Sequence, residues 1–408
     1  MKKIYSFWYG ISLGLSILLF TSIFSSCISD EAPNSEADIT KCIIQPRDSA
    51  LLMMRQDTTM NIAYSSNGEI IRIYVKDVSK VGKCAPLFEI TPGATISPAN
   101  GSEHDFSNKK EVFYTVTSQD GKWSRTYSVA FVDRKFPKIK SVYDAKTGLY
   151  DTKFSLDESE LNEDSKPSKN HRYFEIAERD SSGAVYYWAS GNAGFLRARG
   201  NAQPLEYPTT PADEGHSGKC VKLTTCETGS MGQMIGMPMA AGNLFLGSFD
   251  VDMALALKHL EATHFGIPFA RIPLKLTGWY KYKAGETLKD KAGNILPGKD
   301  NFDIYAVFYK NTKDNGDSFQ LDGTNVKDIT NAPIIAIAQF PIDKRIETNE
   351  WTYFEFPFVF TDRTINPSLL IKYGYSLTVV CSASIDGANF VGAIGSTLFV
   401  DDLDVICK

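Results

Sequence analysis

Along most of the chain apolar and polar residues alternate with a period of two, the pattern of half-buried strands. In "NFDIYAVFYK", Phe302, Ile304, Ala306 and Phe308 form one apolar set, which leaves Asn301, Asp303, Tyr305 and Tyr309 on the other face. In "WTYFEFPFVF", Phe354, Phe356, Phe358 and Phe360 belong inside, with Trp351, Tyr353 and Glu355 opposite. In "RIPLKLTGWYKYKAG", Ile272, Leu274 and Leu276 set the inner parity, so Trp279, Lys281 and Lys283 point outward and Tyr280 and Tyr282 inward. One strand breaks the rule. "GSTLFVDDLDV" puts Asp401 on the side of Phe399, Leu403 and Val405, which aims an ionised carboxylate at the core.

These patterns predict an all-β protein of two sandwiches. Residues 39–134 read as short strands punctuated by turns, including "EIIRIYVKD" and a hairpin around Asp120-Gly121. Residues 135–170 are charged and irregular, a linker or an early loop. From residue 171 to 408 about ten strands with long loops predict a larger jelly-roll sandwich. "VDMALALKHLEATHF" is the one convincing helical stretch.

Composition supports this reading. The 408 residues are 43% hydrophobic, enough for two cores, and the 25 Phe, 19 Tyr and 5 Trp favour strands. Net charge is −5, with Lys and Arg scattered, so no electrostatic footprint for nucleic acid exists. Lys2 and Lys3, the apolar run Ile4–Phe24 and Ser25-Ser26-Cys27 read as a lipoprotein signal peptide over residues 1–26, with Cys27 the lipidated residue. An uncleaved anchor helix is the competing reading. Residues 27–38 are acidic and contain Pro and Ser, a tether. A short acidic run behind such a cysteine resembles the surface-export signal of glycan-foraging gut bacteria, which implies the outer face of the outer membrane. The six remaining cysteines form no CxxC or Cys/His cluster and read as buried free thiols.

Outward aromatics mixed with acids, amides and Lys are what sugar recognition requires: ring faces pack on C–H bonds, and hydroxyls need fixed donors and acceptors. Trp279, Lys281, Asp303, Tyr305 and Trp351 are the candidates, joined by Trp188 with Asn192 at the following turn, and by Arg271. Ordinary cross-strand pairing on a solvated sheet explains the same pattern, as does contact with the other domain. Were the chain a glycoside hydrolase, Asp303 and Glu355 would be its carboxylate pair.

"YFEIAE", "YYWASGNAGF", "AGNLFLGSFD", "FGIPFARIPLKLTGWYKYKAG" and "NFVGAIGSTLFVDDLDV" together resemble the putative carbohydrate metabolism domain of gut bacterial lipoproteins, over residues 171–406. "GATISPANGSEHDFSNKKEVFYTVTSQDGKWSRTYSV" resembles the immunoglobulin-like modules behind the lipid anchor of such proteins. The resemblance implies a jelly roll like that of carbohydrate-binding modules and a glycan ligand. It further implies membrane attachment through the N-terminal lipid, with other glycan-uptake proteins as partners. It also implies a structural calcium held by Glu175 and Asp401; a salt bridge from Asp401, or a bulge turning it to water, remains the alternative. Glycan binding leads, ahead of a hydrolase or lyase and of a surface adhesin or structural subunit.

Overall fold

A computed structural model describes residues 33–52, 59–61, 70–75, 78–133, 137–162, 173–255, 258–312 and 319–408. Cys27 and the signal segment lie outside the described residues.

The N-terminal unit is a small β structure. A four-stranded sheet carries Ile70–Val75 parallel to Ser124–Asp133, followed by Val112–Thr117 and Thr95–Ser97; a second sheet pairs Ile39–Ile43 with Thr59–Asn61 and Leu87–Ile90. The hairpin expected at Asp120-Gly121 forms there, with Gly121 at φ +70°. Parity holds: Tyr114 and Val116 are fully buried and Phe113 is exposed.

The C-terminal unit is a two-layer sandwich. One layer has seven strands. Thr348–Pro357 pairs with Pro273–Lys283, which pairs with the last strand, Thr397–Cys407. The far edge of that last strand is shared: Cys220–Thr224 and then Thr209–Ala212 extend one half, Leu149–Phe154 and then Val142–Asp144 the other. The second layer is built around Asp303–Lys310, flanked by Tyr375–Ser382 and Ile334–Gln339. Between them lies a core with Leu276, Tyr280, Tyr282, Phe302, Ile304, Phe308, Phe354, Phe356, Val379 and Val400. Each such side chain contributes roughly 1.5–3 kcal/mol of apolar burial.

Four expectations need correction. Residues 142–161, read as part of a linker, form three strands, and Leu149–Phe154 hydrogen-bonds to the last strand of the chain. Its alternation was hidden by charged neighbours, but Thr152 and Phe154 are buried. Phe360 is exposed rather than inside, because the chain leaves the seven-stranded sheet at Pro357 and Val359–Phe360 joins the other layer. The helix expected within residues 251–265 covers Val251–Leu255, with Thr263–Phe265 a strand, while unforeseen helices form at Asn192–Ala198 and Gly229–Met234.

The fourth concerns Asp401. Leu398 and Val400 face the core, and so do Leu403, Val405 and Cys407. The parity slips by one between these sets. Against Thr277 and Trp279 on the neighbouring strand stand Asp404 and Asp401, so the last strand carries an extra residue, and Asp402 sits there at φ +45°. This bulge puts Asp401 beside outward Trp279, not in the core with Leu403.

Candidate functional site

The outer face of the seven-stranded sheet is where the outward aromatics gather. Trp279 stands directly opposite Tyr353, their rings tilted at 5.4 Å. Lys281, two residues on, places its ammonium 4.6 Å from the Trp351 ring centroid and 5.0 Å from that of Phe399. Trp279, Lys281, Trp351 and Phe399 are half-buried and Tyr353 is 49% exposed. Adjacent antiparallel strands lie about 4.8 Å apart, so these side chains form one continuous surface.

A loop joining Ala212 to Cys220 leans over this surface. His216 stacks on Trp279 with centroids 3.8 Å apart, and its Nδ1 lies 2.8 Å from Oδ2 of Asp402. Asp401 anchors the loop from beneath. The backbone N–H groups of His216 (2.6 Å) and Ser217 (3.0 Å) donate to Oδ2, and that of Asp402 (2.8 Å) to Oδ1. Asp401 is fully buried, and this burial raises its carboxyl above the ordinary range against the pull of those amides. On the same face Glu355 accepts from Lys275 Nζ at 2.7 Å, which holds its carboxyl below the usual range.

Other candidates lie elsewhere. Asp303 is on the outer side of the opposite layer, buried under the segment that carries Lys327, with Oδ1 2.7 Å from Arg345 and Oδ2 2.6 Å from Lys327. Tyr305 shares that side, closed over by Leu321, Val326 and Ala332. Both faces of this strand are therefore covered, which parity alone does not reveal. Asp303 and Glu355 face away from each other across the sandwich, so they cannot flank one glycosidic bond.

Trp188 is 3% exposed and packs edge-on to Phe154 within the core. Asn192 is fully buried and clamps the backbone: its amide donates to the Thr209 carbonyl (2.7 Å) and accepts from the Thr209 N–H (3.1 Å). Both are structural, since neither reaches solvent. Arg271 lies flat on Tyr150, 3.3 Å above its centroid, near the end of the sheet.

The residues proposed for calcium do not fit it. The positive ends of three N–H groups already point at the Asp401 oxygens, where a cation's other ligands would have to be oxygens. Glu175 is in the separate sheet of Glu158–Leu161, Phe174–Arg179 and Val185–Tyr187, and the charge acting on it is that of Glu160. Among the described residues no group of three His, Cys, Asp or Glu side chains is arranged to hold a metal.

Sequence reasoning missed His216, Asp402, Tyr353, Phe399 and also Lys222, which stands beside Phe399 on the strand Cys220–Thr224, as site members. Tyr353 had the right parity, whereas Phe399 was read with the inward set of Leu403 and Val405 and turns outward because the parity slips at the bulge. His216 and Asp402 are 186 residues apart, and only the bulge and the loop bring them together. Asp404, on the same strand, is buried, accepts from the Thr152 N–H at 2.8 Å, and burial pushes its pKa up to about 6.

Comparison with known proteins places these features in context. No curated protein matches the chain. A crystal structure named a putative glycoside hydrolase from Bacteroides thetaiotaomicron is 35% identical, covering 93% of this chain and 99% of that one, with a TM-score of 0.61. Another of that name, from Bacteroides vulgatus, is 40% identical over 63% of this chain and 98% of its own, with a TM-score of 0.57. The family model "SGBP, N-terminal" matches residues 55–130, and "Putative carbohydrate metabolism domain" matches residues 160–406. With that match running through both layers of the sandwich and the bulged last strand, the chain belongs to the putative carbohydrate metabolism domain family.

Proposed function

We propose that this protein is a non-catalytic glycan-binding lipoprotein of the cell surface. Cys27 carries its lipid, the N-terminal unit acts as a spacer, and the outer face of the seven-stranded sheet holds an oligosaccharide or polysaccharide for a glycan-uptake system. One observation carries the reading: Trp279, Trp351 and Tyr353 share a face with Lys281 and His216 that no other layer covers among the described residues. Flat rings supply packing for sugar C–H bonds while the charged groups supply hydrogen bonds. The SGBP and carbohydrate metabolism matches support the glycan ligand.

The test is calorimetry of the full chain against a broad panel of plant and host glycans. Trp351→Ala should cost at least about tenfold in affinity for any ligand found, because it removes a stacking surface worth about 1.4 kcal/mol or more. A ligand bound equally well by Trp351→Ala and Trp279→Ala variants would refute the location. The names of the two relatives favour hydrolysis as the second reading. Release of new reducing ends from the same glycans would promote it.

A further inference from the structure

Lys222, Lys281 and Lys283 stand on the exposed aromatic face without a carboxylate partner among the described residues. Other lysines there are paired: Lys275 with Glu355, and Lys219 with Asp213 in the loop above. Phe399 lies between Lys222 on one neighbouring strand and Lys281 on the other, and Lys283 follows Lys281 on the same face. Lys222 and Lys281 are therefore two strand spacings apart, about 10 Å, with a phenyl ring between them. Like charges gathered on one sheet face repel. In a chain of net charge −5, this row stands out against its background. The nearest carboxylates of the face are engaged elsewhere: Asp401, two residues along the strand from Phe399, accepts from three backbone N–H groups, Asp402 is held by His216, and Asp213 meets Lys219 in the loop.

We infer that the glycan held on this face is anionic, with uronate carboxylates or sulfate esters reaching Lys222, Lys281 and Lys283 while its sugar rings pack on Trp351 and Phe399. The inference rests on the glycan-binding reading above and adds the chemical class of the ligand. The aromatic rings set where the chain lies. The ammonium groups select for charge on it.

The experiment compares matched polymers with the full chain: dextran sulfate against dextran, and polygalacturonate against its methyl ester. The expected result is that at least one charged polymer binds about tenfold or more tightly than its neutral partner. That preference should shrink with added salt. It should fall about tenfold in the Lys222→Gln/Lys281→Gln double variant and stay unchanged in Lys258→Gln, whose lysine already pairs with Glu261. Whichever pair shows the preference distinguishes sulfate from carboxylate. Equal binding of charged and neutral polymers, or a preference that survives the double variant, overturns the inference. If Trp351→Ala abolishes binding while no charge preference exists, only the anionic class fails. If Trp351→Ala changes nothing, the site itself fails with it.

Discussion

His216 and Trp279 lie face to face, ring centroids 3.8 Å apart and planes 12° apart, so one side of the indole is already occupied. Asp402 fixes the imidazole from the edge and Asp401 fixes the backbone behind it. Removing the imidazole uncovers that indole face. In His216→Ala the tryptophan emission should shift to longer wavelength and be quenched more strongly by acrylamide. Both changes should vanish when Trp279→Phe is added. An unchanged spectrum would mean that the stack does not persist in solution.

Asp303 tests whether a buried carboxylate is structural or chemical. Its two oxygens face Arg345 at 2.7 Å and Lys327 at 2.6 Å, and the Arg345 guanidinium also donates to the carbonyls of Phe302 and Phe340. Burial lowers the Arg345 pKa, opposed by the Asp303 charge, so the guanidinium depends on its partner. Asp303→Asn leaves a cation buried without its counter-charge and should cost about 3–5 kcal/mol in denaturant unfolding. Glycan affinity of the variant that remains folded should match the parent, because Asp303 lies on the opposite side of the sandwich from Trp279 and Trp351.

Glu178 gives stability a pH dependence. The side chain is 8% exposed, its Oε1 accepts from the Leu156 N–H at 3.1 Å, and burial pushes its pKa up to about 7 from an ordinary 4.5. Between those values the folded protein holds a proton that the unfolded chain releases. Stability from this group is therefore full below about pH 4.5 and is lost as pH rises through 7. At about 1.4 kcal/mol per pH unit, about 2–3 kcal/mol of this is lost between pH 5 and pH 8. Urea midpoints at pH 5 and pH 8 should show a fall in the parent that Glu178→Gln reduces; an equal fall in both would assign it to other groups.

How much of this was legible beforehand depended on whether a residue's neighbours are local. Alternation placed Phe302, Ile304, Phe354 and Phe356 in the core and Trp279, Trp351 and Lys281 on the outside, because side-chain direction along a strand is set by the strand itself. It could not say that Tyr305 and Asp303 lie under a second small core, since the covering residues Leu321 and Val326 come from a distant loop. Nor could it choose between a core-facing Asp401 and a bulge there, because the extra residue shows only as a slip in register against Thr277 and Trp279. The lysine row was invisible for the same reason. Lys222 meets Lys281 only through the pairing of both strands with Phe399.

The loop over Trp279 hangs on Asp401, and two substitutions separate its anchoring from calcium chemistry. Asp401→Ala leaves three backbone N–H groups without an acceptor and should cost about 2–3 kcal/mol. Chelation of divalent cations should leave the melting temperature of the parent unchanged; a drop that Asp401→Ala abolishes would restore the metal. Gly215 is the second handle. A Cβ there would lie 2.7 Å from Asp401 Oδ2 and 2.6 Å from the Lys219 carbonyl oxygen, closer than packed atoms tolerate. Gly215→Ala must therefore lift the loop, at a cost of about 1–3 kcal/mol, although every hydrogen-bonding group is still present. Its emission spectrum should move in the same direction as that of His216→Ala even though the imidazole remains, because what the indole loses is the backbone that holds the ring against it. A parent-like spectrum would mean that His216 stays on Trp279 without help from Asp401.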